Sequence, residues 1–185
     1  MGAPSSTRAI VEGLPRKFLG DATEQWFAVQ TRYRFEKKVA AQLNQKQCHV
    51  YLPLLTERHT WSDRQKIISV PLFPGYVFVH IDQSPAARQS VLQTAGIFCF
   101  VSFGGIVAPV PAKQIEDLQL LLQETSHFSL QPFVRAGQRV RIKSGSLQGL
   151  EGILLCQERK RLVISIESIQ RSVAIEIQGY ELELV

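Results

Sequence analysis

Few residues in this chain are placed for covalent chemistry. The candidate nucleophiles and ligands are Cys48, Cys99 and Cys156 with His49, His59, His80 and His127. Their spacing closes no metal site, and three scattered cysteines make no disulfide framework. Gly145-Ser146-Leu147-Gln148-Gly149 is glycine-rich but lacks the Lys-Ser/Thr pair of a phosphate loop. There is no Gly-x-Ser-x-Gly elbow and no dinucleotide glycine fingerprint. No enzyme, cofactor or metal is expected. The remaining chemistry is recognition, carried by aromatic and basic side chains.

The aromatic group lies in Pro71-Leu72-Phe73-Pro74-Gly75-Tyr76-Val77-Phe78-Val79. Proline fixes φ and removes a donor, whereas glycine admits unusual backbone angles, so a regular strand starts only at Tyr76. Beyond the bend, Tyr76, Phe78 and His80 share one face, and Val77, Val79 and Ile81 the other. Both faces are mostly apolar. The strand is either buried on both sides or keeps one aromatic face for a partner. The basic group lies between residues 32 and 66. Arg32, Arg34, Lys37, Lys38, Lys46, Arg58, Arg64 and Lys66 face only Glu36, Glu57 and Asp63, an excess equal to the whole net charge of +5. Such a patch fits a nucleic-acid neighbour, and equally a plain solvated face.

The elements that must position these groups follow from periodicity and punctuation. Trp26 to Thr31 reads as a strand. Phe35, Val39, Leu43 and Lys46 recur at helical spacing over 33–47. Val50 to Pro53 is a second strand, and Trp61-Ser62-Asp63-Arg64 a hairpin tip. Ser84-Pro85 opens a helix that Gly96 closes. Phe98 to Phe103 is a strand ended by Gly104-Gly105. Pro111 starts a last helix with Ile115, Leu118, Leu121 and Leu122 as its apolar stripe. This order predicts an α+β fold, a four-stranded mostly antiparallel sheet flanked by helices. From Val134 onward, five short alternating strands predict a small five-stranded β-barrel. Residues 1–23 read as a flexible tail, 24–124 as the first domain, 125–133 as a linker and 134–185 as the second domain. At 45% hydrophobic and 20% charged the composition is ordinary for globular protein. Neither a secretory signal nor a membrane span is expected, and the cysteine usage suggests a reducing cytoplasm.

At this point two motifs resemble a known family. Leu72-Phe73-Pro74-Gly75-Tyr76-Val77-Phe78-Val79 is similar to the signature of the N-terminal domain of NusG-type transcription elongation factors. Trp26-Phe27, Leu52-Pro53, Phe100-Val101-Ser102-Phe103-Gly104-Gly105 and Ala108-Pro109-Val110-Pro111 support it. Gly137 to Gly152 resembles a KOW motif, the mark of an SH3-like barrel. Trp61-Ser62-Asp63-Arg64 and Arg171-Ser172-Val173-Ala174-Ile175-Glu176 look like the specialised UpxY, LoaP and RfaH branch, whose members act at particular operons.

The resemblance implies binding rather than catalysis. A cavity built from Phe73, Tyr76, Phe78, Phe103 and Ile115 would receive the clamp helices of the RNA polymerase β′ subunit and suppress pausing and termination. Arg32, Phe35 and Lys38 would touch the non-template DNA strand. The β-subunit gate loop would fall near Arg88 and Gln89, where the His-Thr pattern of RfaH is absent. Leu147, Leu150, Ile169 and Arg171 would meet Rho or a ribosomal protein from the KOW domain. A monomer is expected. The alternatives are a housekeeping NusG coupling polymerase to Rho or ribosome, and a KOW-type RNA- or ribosome-binding module. Both Leu150, where NusG barrels usually carry phenylalanine, and Ile169-Gln170-Arg171, in place of a Phe-Gly-Arg-like turn, weigh against the housekeeping reading.

Overall fold

Among the described residues, β-branched and aromatic runs broken by Gly, Pro and polar pairs produce sixteen strands, three apolar-periodic stretches produce α-helices, and Glu167–Ile169 forms a 3-10 turn. The computed structural model describes residues 8–10, 24–60, 65–124, 128–135, 137–156, 160–177 and 179–185. In chain order the elements are β1 (Arg8–Ile10), β2 (Glu24–Thr31), α1 (Glu36–Gln45), β3 (His49–Tyr51), β4 (Leu54–Thr60), β5 (Gln65–Pro71), β6 (Tyr76–Asp82), α2 (Pro85–Leu92), β7 (Ile97–Phe100), β8 (Ser102–Phe103), β9 (Ile106–Val107), β10 (Pro109–Val110), α3 (Ala112–Glu124), β11 (Phe128–Pro132), β12 (Gln138–Ile142), β13 (Glu151–Cys156), β14 (Lys160–Ile166), β15 (Arg171–Glu176) and β16 (Leu182–Leu184). The fold is mixed α+β, as the sequence pattern predicts.

The chain divides into two compact units. One comprises Val11–Leu54 and Pro71–Ala112. Its sheet runs β10-β2-β6-β3 with β7 also on β2, and every described pairing in it is antiparallel. It has five strands rather than four, because β7 and β10 occupy the same edge of β2 end to end. β7 pairs with Val29–Thr31, and β10 with Trp26–Phe27. The expected strand from Phe98 to Phe103 is broken between them. Ser102 and Phe103 instead turn out into the two-stranded β8–β9 hairpin.

The core of this unit lies on one face of the sheet. Phe27, Val29, Val77, Val79, Ile81 and Phe100 pack with Val39 and Leu43 of α1 and Val91 of α2. Helix α1 starts at Glu36, three residues inside the predicted 33–47, because Tyr33 and Arg34 turn the chain first. Helix α2 starts at Pro85 with Ser84 as its cap, whose hydroxyl accepts from Ala87 N at 3.2 Å. Gly96 then reverses the chain at φ +102°. A Cβ there would sit 2.9 Å from Phe35 Cδ1, so only glycine allows this close approach.

The second unit comprises Met1–Ile10, Leu55–Val70 and Lys113–Val185. It holds a three-stranded sheet β1-β4-β5, helix α3, and a six-stranded sheet β11-β15-β14-β13-β12-β16. Apart from Arg8–Ile10, the segment expected to be a tail lies outside the described residues, as does the expected tip Trp61–Arg64. Helix α3 buries Ile115, Leu118, Leu121 and Leu122, the four residues of its predicted stripe. The expected five-stranded barrel is corrected in two respects. Phe128 to Pro132, inside the expected linker 125–133, forms a strand on β15. Among the described residues β11 and β16 are the two ends of the sheet and do not pair, so the barrel is not closed.

Candidate functional site

The bend at Pro74-Gly75 is built as the residue types require. Leu72 N donates to Pro53 O at 2.8 Å and Tyr76 N to Phe73 O at 3.2 Å. Gly75 stands at φ +84°, open to glycine without strain. Both of its backbone groups are used: Thr31 N donates to Gly75 O at 2.8 Å, and Gly75 N donates to Glu36 Oε1 at 2.6 Å. Glu36 is 2% exposed. A buried carboxylate is tolerated because it accepts a charge-assisted hydrogen bond. Sequence reasoning missed this residue. It ties the aromatic bend directly to the first turn of α1.

Beyond the bend, register sets a band of rings on the sheet face opposite the aliphatic core. Trp26 lies across from His80 and His80 from His49; Ala28 lies across from Phe78 and Phe78 from Tyr51. Tyr51 stacks on Phe78 with centroids 6.2 Å apart, and Phe73 meets Phe78 edge-on at 6.3 Å. Trp26 sits 5.1 Å from His49 and 5.0 Å from His80. Burial drives the Tyr51 hydroxyl strongly upward in pKa. Burial first, then His80, holds His49 below its ordinary value, and Glu24 partly opposes them. His80 Nδ1 lies 3.1 Å from Glu24 Oε2.

The five proposed clamp residues do not share one exposure. Phe73 and Phe78 are buried, Tyr76 is half-buried, and Phe103 is 54% exposed on the β8–β9 hairpin opposite Ile106. Ile115 is buried on α3, in the other unit. The structure thus brings Phe73 and Phe78 together as a ring pair and leaves Phe103 outward. Arg88, near the matching gate-loop position, is occupied locally by bonds to Gln83 O at 3.1 and 2.7 Å.

The basic group narrows. Lys46 Nζ bonds Ser90 O and Thr94 Oγ1, both at 2.9 Å, and so tethers α1 to the end of α2. Arg32, Arg34, Lys37 and Lys38 are exposed. Phe35, half-buried, carries Arg32 at 5.9 Å and Lys38 at 5.4 Å from its ring centroid. The three expected nucleic-acid residues therefore form one cation–aromatic group.

In the second unit Leu147, Leu150 and Ile169 are buried at 3%, 0% and 5% exposure, whereas Arg171 is exposed. The loop folds its leucines inward through Gln148 N to Gly145 O and Leu150 N to Leu147 O. These three apolar residues are interior packing, so of the four residues that the resemblance assigns to a partner Arg171 alone is exposed. Helix α3 is fastened to the same loop. Lys113 Nζ bonds Gly149 O at 2.8 Å and Asp117 Oδ1 at 2.5 Å, and Glu151 N donates to Asp117 Oδ1 at 3.4 Å. Burial raises the Asp117 pKa despite Lys113.

Little of this is reactive. Burial pushes the Cys48 thiol up to about 11, which disfavours the nucleophilic thiolate. Among the described residues no cluster of His, Cys, Asp and Glu could hold a metal ion, and no helix is long and apolar enough to cross a membrane.

Residues 24–119 match the family described as "Transcription termination factor nusG". The chain is 27% identical over 171 residues to the transcription termination/antitermination protein NusG of Lactococcus lactis, covering 85% of this chain and 91% of that protein. It is 23% identical over 181 residues to the protein of the same description in Borreliella burgdorferi, covering 86% and 98%. A solved structure described as "Domain interaction in Thermotoga maritima NusG" covers 88% of this chain and 97% of that one, at 21% identity and a TM-score of 0.48. The matched segment contains the bent aromatic strand, the helix tied to it and most of α3. The chain belongs to the NusG family of transcription termination/antitermination factors.

Proposed function

We propose that this chain is a cytoplasmic factor that binds RNA polymerase on the β′ clamp helices through residues of the 24–124 region and suppresses pausing and termination. The observation that carries this reading is the aromatic bend fixed by Glu36. Tyr76 is half-buried two residues before Phe78 in β6, and Phe73 and Phe78 form a buried edge-on ring pair. Ring edges held rigid beside buried neighbours are what binding hot spots are made of. Phe103 adds an exposed ring in the same unit. Arg32, Phe35 and Lys38 form a second contact, to the non-template DNA strand, and the 134–185 region meets Rho or a ribosomal protein with Arg171 in reach.

Action at particular operons, as in the specialised branch, is part of this proposal. A housekeeping role is the second reading, favoured by relatives described as transcription termination/antitermination protein NusG that match over 85% and 86% of this chain. Binding of the full chain to polymerase core, with a housekeeping NusG as competitor, tests the main reading. Mutually exclusive binding, weakened by Tyr76→Ala with Phe103→Ala in a folded protein, is expected. Simultaneous binding of both proteins places this chain elsewhere on the enzyme and removes the clamp reading.

A further inference from the structure

Arg34 occupies a backbone conformation that its side chain disfavours. It stands at φ +65°, in the left-handed region, where glycine would cost less. Arg34 and its neighbour Tyr33 form the turn between β2 and α1. Both ends of that turn are tied down. Arg32 N donates to Gly96 O at 2.8 Å, and Phe35 N donates to Arg32 O at 3.0 Å. The Arg34 guanidinium lies 5.4 Å from the centroid of the Tyr33 ring, which is 69% exposed. A large ring left in solvent, with a cation on it and strain in the backbone that holds it there, is not explained by folding.

The surroundings decide what such a ring could receive. Arg32, Lys37 and Lys38 are exposed in the same segment, Arg32 and Lys38 over the neighbouring Phe35 ring, and the one acid of the segment, Glu36, is turned inward onto Gly75 N. The segment therefore combines positive charge with an exposed ring, the two parts of a single-strand nucleic-acid platform. An acidic peptide would use the charge but leave the ring without a partner. We infer that Tyr33 and Arg34 hold one unpaired nucleobase, stacked on the Tyr33 ring, while Arg34 meets the adjoining phosphate. This rests on the reading of Arg32, Phe35 and Lys38 as a nucleic-acid contact and extends it to the residues that engage a base.

The test is fluorescence anisotropy of the full chain with labelled mixed-sequence strands of about 12 nucleotides, a length within the site sizes of small single-strand binders. Single-stranded DNA, single-stranded RNA and duplex DNA of the same sequence are compared. Tyr33→Ala should weaken single-strand binding by at least about fivefold, the loss of one stacked base, and Tyr33→Phe should restore it. Arg34→Gly should lower affinity and reduce the salt slope by about 0.7, one phosphate contact on a single strand, without lowering the thermal midpoint. A merely structural Arg34 would give a higher midpoint and unchanged binding. Tighter binding of the DNA or of the RNA strand identifies the sugar, and either supports the platform. Unchanged binding in Tyr33→Ala, with Arg32→Ala/Lys38→Ala weakened, overturns this inference alone. A wild-type chain that binds neither strand, or binds duplex equally well, overturns both.

Discussion

Two glycine-marked bends, one in each unit, place apolar residues in opposite ways. At Phe73-Pro74-Gly75-Tyr76 the bend keeps Phe73 buried and Tyr76 half-buried. At Gly145 to Gly149 the loop buries both Leu147 and Leu150. The first bend closes against a core already filled from the other face of the sheet by α1 and α2, and a buried carboxylate fixes it from outside. Tyr76 is left partly outside that core. The second belongs to a small open sheet, where Leu147 and Leu150 are taken up by the core while Leu130 and Leu184 at its two end strands stay exposed. An apolar residue at a turn is a binding candidate only where the core is complete without it.

The sharpest way to break that contrast is Leu150→Ala. A fully buried leucine lost from a small core should cost about 2–5 kcal/mol, read by chemical denaturation. A folded variant of normal stability would return Leu150 to the surface and to the role of partner contact. Next in size is Glu36→Ala. It strips the acceptor from Gly75 N–H in a buried position, where a hydrogen bond to a charged group contributes about 1.5–3 kcal/mol. Glu36→Gln keeps an acceptor and should lose less. Equal losses would mean that the carboxylate acts by filling space rather than by holding the bend. Tyr76→Ala combined with Phe103→Ala should leave stability almost unchanged and weaken polymerase binding by about 2 kcal/mol. The opposite result, lower stability with normal affinity, would make the first bend as structural as the second. Phe73→Ala is a poor probe of the same question, because its ring is 2% exposed and its removal damages the core.

What the sequence made legible is what has a short-range cause. The Pro74-Gly75 step, Ser84-Pro85, and the stripe Ile115, Leu118, Leu121, Leu122 each carry their structure in neighbouring residues. The α+β fold followed from them. Phe128 to Pro132 did not announce a strand, because its pairing with β15 is made some forty residues later in the chain and no local alternation encodes it. Glu36 was unreadable for the same reason: its partner, Gly75 N, is distant in sequence. The inward turn of Leu147, Leu150 and Ile169 was not legible, because apolar loop residues look alike whether they face a partner or a core. The cations around Phe35 were legible as types. That Lys46 leaves the group to tether α2 was not.

The smallest expected effect concerns the ring band of the first unit and has a definite sign. His49 is held below its ordinary value mainly by burial, then by His80, whose ring centroid is 5.8 Å away. The unfolded chain therefore binds this proton more tightly than the folded one. Stability from a neutral His49 is fully present above the ordinary histidine value of about 6.5 and falls as pH drops below it, through the depressed folded value. Thermal midpoints recorded downward from neutral pH should decline across that window, and His49→Gln should flatten the decline. If His49→Gln leaves the profile unchanged, the loss belongs to another group. If stability rises on acidification, a charge on His49 does not destabilise the fold, and burial of this ring is not what sets the low-pH behaviour of the aromatic band.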